Sequence, residues 1–534
     1  MPFLPTVEGR ALVLSSTAMR VHRFSRRKTV HCLALLAAVL PVATAAATTY
    51  VWDGNAPFGS GNSRWTRDSN WSSLNGEPPD NRVSGLTNSD IVFAGNFKLI
   101  PILDDNYYIR SLTFAPSAGA FSIVPQASQI LRIGSGGIVN NSTNIQTLYN
   151  SLSLSNSQTW DAAMGNLSLR GLVNLGANTL TIDGPANVGI TNTIQGTGAL
   201  IKQGSGSLFL AGTTANTFSG GLTIEDGIVT VAKNNALGTG PLLMSGGVLN
   251  LGNFNLGVSS ISLQGGVINS GSGGLSSSSA YQLQSGTVNS RLGGTGGLLK
   301  TTTGVVTLTT ANTYTGGTQI TGGKLAVNNV TGSGTGTGNV SVGSGGLLAG
   351  TGSLTGMVTN GPGGSISAGN EVGVLTIGSM VWSGGATNRF DLQDAAGVAG
   401  VGWDLLNING TLTITATAGD QAIIDMVTFG LGGNPGTAVN FDLNQNYLWT
   451  IVQTTGGINF APGESALTVF DLLTGNFANP IGGGKFGIDL SADGKQLNVI
   501  YTIPEPGKAT LLGLGLLGLV YVRRLRQNLV SQRR

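Results

Sequence analysis

The chain has 534 residues, of which 85 are Gly, and only 10% of its residues are charged and 6% aromatic. This composition is typical of a turn-rich β protein and disfavours a compact helical one. Six of the 27 basic residues precede residue 48, six follow residue 503, and two of the 24 acidic residues lie in those ends, so residues 48–503 are net acidic. Because nucleic-acid binding requires clustered Lys and Arg, we exclude a nucleic-acid partner.

Residues 1–47 have the pattern of a secretory signal peptide. Basic residues from Arg23 to Lys28 precede an apolar run over residues 33–40, and Ala45 and Ala47 end two small-residue cleavage motifs. We therefore predict a signal helix here, export through the inner membrane and cleavage by signal peptidase. The start of translation, at Met1 or Met19, is open.

The single Cys and both His residues belong to this leader, as Cys32, His22 and His31. Once the leader is removed, the chain cannot build a Ser-His-Asp triad, a Cys nucleophile, a disulfide or a zinc site with Cys or His ligands. We therefore expect a protein that is not an enzyme and that holds no cofactor or metal.

Residues 48–115 form a segment whose first part is rich in Trp, with Trp52, Trp65 and Trp71. Two interpretations are open. The rings form an exposed carbohydrate platform, or they cap a solenoid, whose terminal repeat must protect an open edge. We favour the cap.

Residues 116–380 contain an internal repeat. Gly-Thr-Gly at 196–198 recurs at 294–296, and Ala-Asn-Thr-aromatic at 215–218 recurs at 311–314. The distance along the chain between the two copies differs by only two residues from one motif to the other, so the similarity is not an accident of composition. A repeat of short strands separated by Gly turns is the sequence signature of a solenoid.

Each copy alternates apolar and polar residues over a few positions, as in Ser207–Leu210, and has Gly-Gly corners at 220–221 and 316–317. No single copy can bury its apolar side, so copies must stack. The predicted fold is all-β: a parallel β-solenoid, as a right-handed β-helix, with antiparallel hairpins in separate sandwiches as the alternative. We expect stacked Asn ladders at the turns formed by Asn141, Asn174, Asn178, Asn216 and Asn312.

Residues 381–502 are predicted to be a β-rich C-terminal module, with strands near 421–428, 447–453, 466–471 and 496–502. Glycosidase chemistry would need two carboxylates that face one cleft. The candidate acidic pairs are Asp104 with Asp105, Glu225 with Asp226, and Asp391 with Asp394. Adjacent strand residues point to opposite faces, and the third pair is placed in a Gly- and Ala-rich loop, so we expect solvated turns.

Residues 503–526 combine a Pro-Glu-Pro motif, an apolar run over 509–522 and an Arg cluster, and a basic tail covers 527–534. As a helix, the run is about 21 Å long, shorter than a ~30 Å bilayer core, and the arginines would stay cytoplasmic. We predict a short transmembrane helix. The motif and the cluster consist of Pro504, Glu505, Pro506, Arg523, Arg524 and Arg526.

Two parts of the sequence resemble known families. Residues 202–221 and 311–323 resemble the autotransporter-associated β-strand repeat, although Thr302 and Thr303 replace glycines in the second copy. This resemblance implies a passenger-like exterior β-helix. Residues 504–526 resemble the PEP-CTERM sorting signal, which implies transient insertion in the inner membrane and removal of the helix by an exosortase.

Two hypotheses for the function follow. The first is a non-catalytic β-solenoid displayed at the cell surface, in the outer envelope or in the extracellular matrix, which acts as an adhesin, matrix or biofilm component. Extracellular polysaccharide is a candidate partner. The second is a surface polysaccharide-active β-helix enzyme, a lyase or glycosidase, which a cleft of clustered Asp, Lys and Arg from neighbouring turns would favour.

Overall fold

The computed structural model describes residues 47–54, 63–73, 89–430, 432–504 and 516–526. The predicted signal helix, apart from Ala47, lies outside these residues. A 3₁₀ helix covers Asp68–Asn70 and an α-helix covers 516–526. No helix in the described part of the chain combines the length and the apolar character needed to cross a membrane. Residues 509–515, where the predicted transmembrane run begins, are outside the described ranges.

The described residues are otherwise built from short strands, which we number β1 to β44 in chain order. Strands β1 to β22 are Thr48–Trp52, Trp71–Ser73, Ser89–Phe93, Ile102–Leu103, Tyr107–Phe114, Ser122–Pro125, Ile130–Asn140, Gln146–Leu148, Ser151–Leu154, Gln158–Asp161, Leu167–Leu169, Val173–Asn174, Leu180–Asp183, Val188–Ile190, Ile194–Gln195, Leu200–Lys202, Ser207–Leu210, Leu222–Ile224, Ile228–Val231, Leu242–Met244, Val248–Asn250 and Asn255–Gly257. Strands β23 to β44 are Ile261–Leu263, Val267–Ser276, Tyr281–Leu283, Gly286–Gly293, Leu298–Lys300, Val305–Leu308, Thr318–Ile320, Gly323–Val327, Val340–Val342, Gly346–Gly350, Ser353–Asn360, Ser365–Ala368, Val374–Trp382, Thr387–Leu392, Leu405–Ile408, Leu412–Ile414, Ala422–Thr428, Tyr447–Thr454, Ile458–Phe460, Phe470–Asn476, Lys485–Leu490 and Gln496–Thr502.

The chain alternates between two long parallel sheets. The first sheet includes β16, β18 and β20, and the second includes β17, β19 and β21. Paired residues such as Leu167, Val188, Leu208 and Val229 recur every 20 or 21 residues, which is one turn of the stack. This arrangement confirms the predicted all-β parallel solenoid over antiparallel sandwiches, while its right-handed sense stays a prediction.

The core follows from the two-residue period of the strands. In β17, Leu208 and Leu210 are fully buried, whereas Phe209 between them is exposed. Leucine, isoleucine and valine take the same inward positions in the neighbouring strands, so one apolar core runs through the stack. Each such side chain contributes about 1.5–3 kcal/mol through its removal from water.

The N-terminal end of the first sheet is closed by aromatic rings and one reversed strand. β2 pairs antiparallel with β1, opposite the parallel partner β3. Trp52, Trp65 and Trp71 are at most 5% exposed, and the Trp52 and Trp71 ring centroids are 5.0 Å apart. These rings are buried and present no exposed stacking face, while the cap stays a prediction.

The C-terminal end also departs from parallel pairing. β44 pairs antiparallel with β40, and β43 pairs antiparallel with β44. The parallel pairing β5–β7 joins strands on either side of residue 115, and the pairings β33–β35 and β34–β36 continue across residue 380. The predicted module boundaries therefore lie within continuous sheets.

The Gly-Gly corners serve two different purposes. Gly221 has φ +94°, in the left-handed region that favours glycine. Gly316 does not have a positive φ. A Cβ on Gly316 would instead lie 2.4 Å from the backbone nitrogen of Gly297 in the previous turn. At this second corner, glycine is needed because two backbones approach closely.

Candidate functional site

Four of the six predicted sorting residues are described by the structure. Pro504 is exposed and follows Ile503, whose backbone nitrogen still donates to Asn446 Oδ1 at 2.9 Å. The three arginines, Arg523, Arg524 and Arg526, are exposed on helix 516–526. Glu505 and Pro506 lie outside the described residues, so the motif as a unit stays a prediction.

The predicted signal cleavage residues are only partly described. Ala47 is half-buried and directly precedes β1, while Ala45 lies outside the described residues. Cleavage after either residue would release a chain whose first strand begins at once. The cleavage site stays a prediction.

Two of the three candidate acidic pairs lie in turns. Asp104 accepts hydrogen bonds from the backbone nitrogen and the hydroxyl of Thr66. Asp226 Oδ1 accepts from the backbone nitrogen of Gly227 at 2.7 Å, and Glu225 Oε2 accepts from Gln203 Nε2 at 2.8 Å. These contacts are local or reach one neighbouring turn, and they do not place two carboxylates in one cleft.

The third pair corrects the prediction. Asp391 is not in a loop: it lies on β36 and is 3% exposed. Asp394 follows in the adjacent turn, where its Oδ1 accepts from Asn440 Nδ2 at 2.9 Å. Residues of the loops after β36 and β39 contact this strand, since Asp404 bonds the Asp391 backbone and the Phe429 ring lies against Arg389, which the sequence pattern could not show.

Asp391 belongs to a group of ionisable side chains that we call the charged cluster. Its members are Lys324, Glu371, Arg389, Asp391, Asp404 and Asp425. Arg389 Nε donates to Asp391 Oδ1 at 2.7 Å. The Arg389 guanidinium also lies 5.4 Å from the ring centroid of Phe429, at the start of the loop after β39.

Asp404 hydrogen-bonds to the backbone of two other segments of the chain. It is fully buried, and its Oδ1 accepts from the backbone nitrogen of Gly373 at 2.9 Å, while its Oδ2 accepts from that of Asp391 at 3.1 Å. The backbone nitrogen of Asp404 in turn donates to the Asp391 carbonyl at 2.9 Å. The carboxylate therefore ties two loops to β36.

Burial dominates the electrostatics of the charged cluster. It raises the pKa of Asp391 to about 6; the hydrogen bond from Arg389 opposes this rise, and the charges of Asp425 and Glu371 add to it. Burial also raises the pKa of Asp404 well above its usual value, and the charge of Asp391 acts in the same direction. Asp391 and Asp404 lie in one enclosed region, and both therefore stay protonated to a higher pH than an ordinary Asp does.

We expect the protein to gain stability when the pH falls from 7.5 to 5. Asp391 has a folded pKa of about 6 against 3.8 for an unperturbed Asp, so between these values the folded state binds more protons and the free energy of unfolding rises on acidification. At pH 5, about one unit below the folded pKa, the gain from this group is roughly 1.4 kcal/mol, and the full gain of about 3 kcal/mol requires a pH below 3.8. In Asp391→Asn, thermal denaturation at the two pH values should show a smaller acid gain than in the wild type.

Asp493→Asn is the matched control for this experiment. Asp493 is exposed, and hydrogen bonds from Ser491 and Lys495 lower the pKa of its carboxyl group. Its replacement should leave the acid gain in place. Equal pH dependence in the wild type and in Asp391→Asn would show that the cluster does not titrate as described.

The two buried carboxyl groups of the charged cluster are enclosed by the chain. The Asp404 carboxylate is enclosed, and the Asp391 side chain is 5% exposed and paired with Arg389. Neither group is free to reach a substrate from solvent. Over the residues that the structure describes, no three His, Cys, Asp or Glu side chains are grouped so that they could hold a metal ion.

The Asn of the repeat motif joins three successive turns. Asn216 Oδ1 accepts from the backbone nitrogen of Ile194 at 2.9 Å, and its Nδ2 donates to the Ala236 carbonyl at 2.5 Å. Asn312 makes the equivalent bonds with Leu292 and Gly334, at 2.7 and 2.5 Å. Both side chains are buried, so they act as internal clips between turns.

The predicted stacked ladder is wrong for Asn174, Asn178, Asn216 and Asn312, whose side chains bond to backbone groups. An Asn ladder lies instead at other residues, on the outer face of the second sheet. Asn269 Nδ2 donates to Asn250 Oδ1 at 3.1 Å, and Asn289 Nδ2 donates to Asn269 Oδ1 at 2.9 Å. Thr309 Oγ1 continues the series to Asn289 Oδ1 at 2.7 Å. The signal was available, because these residues recur at nearly constant spacing.

The repeats also bury lysines. Lys202 is 1% exposed and its Nζ donates to the Gly204 carbonyl at 2.6 Å; Lys300 is 0% exposed and its Nζ donates to the Gly322 carbonyl at 2.8 Å. Burial lowers the pKa of both groups. Their position, two residues after an inward leucine, is the signal that could have revealed them.

A comparison with known proteins finds a match in the two repeat segments. A family model described as passenger-associated-transport-repeat matches residues 200–231 and 298–327, which hold β16–β19 and β27–β30. No curated protein matches the chain. The match supports the autotransporter-associated repeat that the sequence resembles, and in these two segments the chain is similar to passenger-associated transport repeats.

Proposed function

We propose that this protein is exported and displayed at the cell surface or in the extracellular matrix, where it serves as a non-catalytic adhesin, matrix or biofilm component. The observation that carries this proposal is the pair of passenger-type repeats within one continuous solenoid. The outer Asn ladder supports it, since those amides bond to each other and leave a regular polar surface.

The route to the exterior is part of the proposal. Signal peptidase removes residues 1–47, helix 516–526 and the apolar run before it insert in the inner membrane, and an exosortase recognises Pro504, Glu505 and Pro506. The exposed position of Pro504 at the end of the solenoid supports this route, because a sorting enzyme needs access to the motif.

We expect the wild type to lose its C-terminal segment and the variant Pro504→Ala, Glu505→Ala, Pro506→Ala to keep it. Without the motif, the sorting enzyme has nothing to recognise, so the variant should stay in the inner membrane. Intact mass and cell fractionation in the native host measure both outcomes. Pro480→Ala, an exposed proline before the last two strands, is the control. Retention of the tail by the wild type would refute sorting.

A surface polysaccharide lyase or glycosidase is the second candidate, and the charged cluster is the observation that favours it. Arg389, Asp391 and Asp425 lie on adjacent turns, as a β-helix enzyme would require. The enclosure of Asp391 weighs against this candidate. Cleavage of a uronate oligomer by the wild type, and its loss in Asp391→Asn, would support the enzyme over the structural protein.

A further inference from the structure

A groove of about 520 Å³ lies on the outer face of the second sheet near the N-terminal end of the solenoid. Its floor is a register column of small residues on successive turns: Ser122, Thr147, Ser168 and Gly189. Phe209 occupies the same column on the next turn and closes that end of the groove. We call this feature the outer groove.

The outer groove exists because the side chains of this register column are small over these turns. Around Gly189 there is open space, since a Cβ at this position would meet no atom within 4 Å. Beyond Phe209 the same column is filled by Thr230 and Asn250, which begins the bonded outer ladder. The depression is therefore a local departure from an otherwise filled outer column.

The lining combines exposed apolar surface, hydroxyl groups and one cation. Phe209 is 42% exposed and Ile145 is 53% exposed. Among the residues that line the groove, Arg170 carries the only charge. Its guanidinium lies 5.5 Å from the ring centroid of Tyr149, which is itself 43% exposed, so the cation is held beside a second aromatic surface.

We propose that the outer groove binds an acidic oligosaccharide. The Phe209 ring offers a flat apolar face to the C–H face of a sugar ring, the floor hydroxyls meet sugar hydroxyls, and Arg170 pairs with a uronate carboxylate. The five stacked positions extend over roughly 19 Å at the usual strand spacing, which suits an elongated chain.

Charge complementarity decides this occupant. Residues 48–503 are net acidic, so a polyanion has no general electrostatic attraction to the protein. The cation of Arg170 in the outer groove therefore makes binding of an anion selective for this site. The biological use of such binding rests on the proposed surface display. The binding itself does not, because it is measured on the purified protein.

The test is calorimetric titration of the purified full-length protein with an α-1,4-linked galacturonic acid hexamer and with maltohexaose as the neutral hexamer. We expect the uronate hexamer to bind the wild type about tenfold more tightly than maltohexaose, the size of one charged hydrogen bond. Arg170→Gln should abolish this preference. Gly189→Phe should weaken binding of the uronate hexamer at least tenfold by filling the floor.

Gly419→Phe is the matched control, because a Cβ on Gly419 also meets no atom within 4 Å. It should bind as the wild type does, and unchanged melting temperatures would show that the variants fold. Absence of uronate binding in the wild type, equal affinity for the two hexamers, or full binding by Gly189→Phe would each overturn the proposal. None of these results would bear on whether the protein reaches the cell surface.

Discussion

Gly198→Ala is expected to lower the free energy of unfolding by about 3 kcal/mol, the upper range for overpacking. A Cβ on Gly198 would lie 1.9 Å from the carbonyl oxygen of Asn178 in the previous turn. That atom belongs to the backbone, and it cannot move without shifting the turn to which it belongs. The added methyl group must therefore separate two turns of the stack.

Gly189→Ala is the matched control, since its Cβ has open space. It should change stability by less than about 1 kcal/mol and in the stabilising direction, because the unfolded chain loses conformational freedom. Thermal denaturation of both variants measures the contrast. Equal melting temperatures for Gly198→Ala and Gly189→Ala would contradict the close backbone approach at Gly198.

Asn216→Leu is expected to cost about 3–5 kcal/mol, because it breaks a buried hydrogen-bond network. The substitution removes the partner of the Ile194 backbone nitrogen and of the Ala236 carbonyl. It also removes Asn216 Oδ1, which accepts a hydrogen bond from the Lys233 ammonium at 2.8 Å. Three buried polar groups thus lose a bond, and each unsatisfied group costs about 1–3 kcal/mol.

Asn312→Leu is the built-in comparison, because Asn312 clips the same two kinds of backbone group but is bonded to no lysine. It should cost about 1–2 kcal/mol less than Asn216→Leu. The difference is limited for two reasons. Lys233 Nζ also donates to the Asn192 carbonyl at 3.2 Å, and burial lowers the pKa of Lys233 to about 8, so the amine can release its proton.

Amide hydrogen exchange gives the sharpest measurement for these two variants, since stability in a stack of repeats is not uniform. The Ile194 amide should exchange faster in Asn216→Leu, and the Leu292 amide should exchange faster in Asn312→Leu. Asn250→Ala, on the half-exposed outer ladder, is the control and should affect neither amide. Unchanged protection at Ile194 would refute the clip.

The sequence predicted the features that depend on periodicity. Alternation over short strands and the recurrence of residues 196–231 at 294–327 led to stacked turns and to Asn216 and Asn312 as contacts between them. The buried lysines were readable by the same rule, because Lys202 and Lys300 sit at inward positions. They were missed because a charged residue is rarely fully buried.

Other features depend on which loops cover which face, and no periodicity encodes that. Asp391 was predicted in a Gly- and Ala-rich loop, but it lies on β36, is buried, and bonds through its backbone to Asp404 of the following loop. Asp404 binds the backbone nitrogen of Gly373, 31 residues earlier in the chain. The outer groove likewise arises from small residues on separate turns, each of which is ordinary in its own segment.

The stacking of turns has a consequence for the reach of the molecule. The inward residues Leu200, Leu222, Leu242, Ile261, Tyr281 and Leu298 pair in succession, which places the two matched repeats five turns apart, about 24 Å at the usual strand spacing. Each turn contacts only its neighbours, so duplication or loss of some 20 residues would leave the other turns intact. The distance spanned between the two ends can thus evolve in steps of about 5 Å, independently of what either end binds.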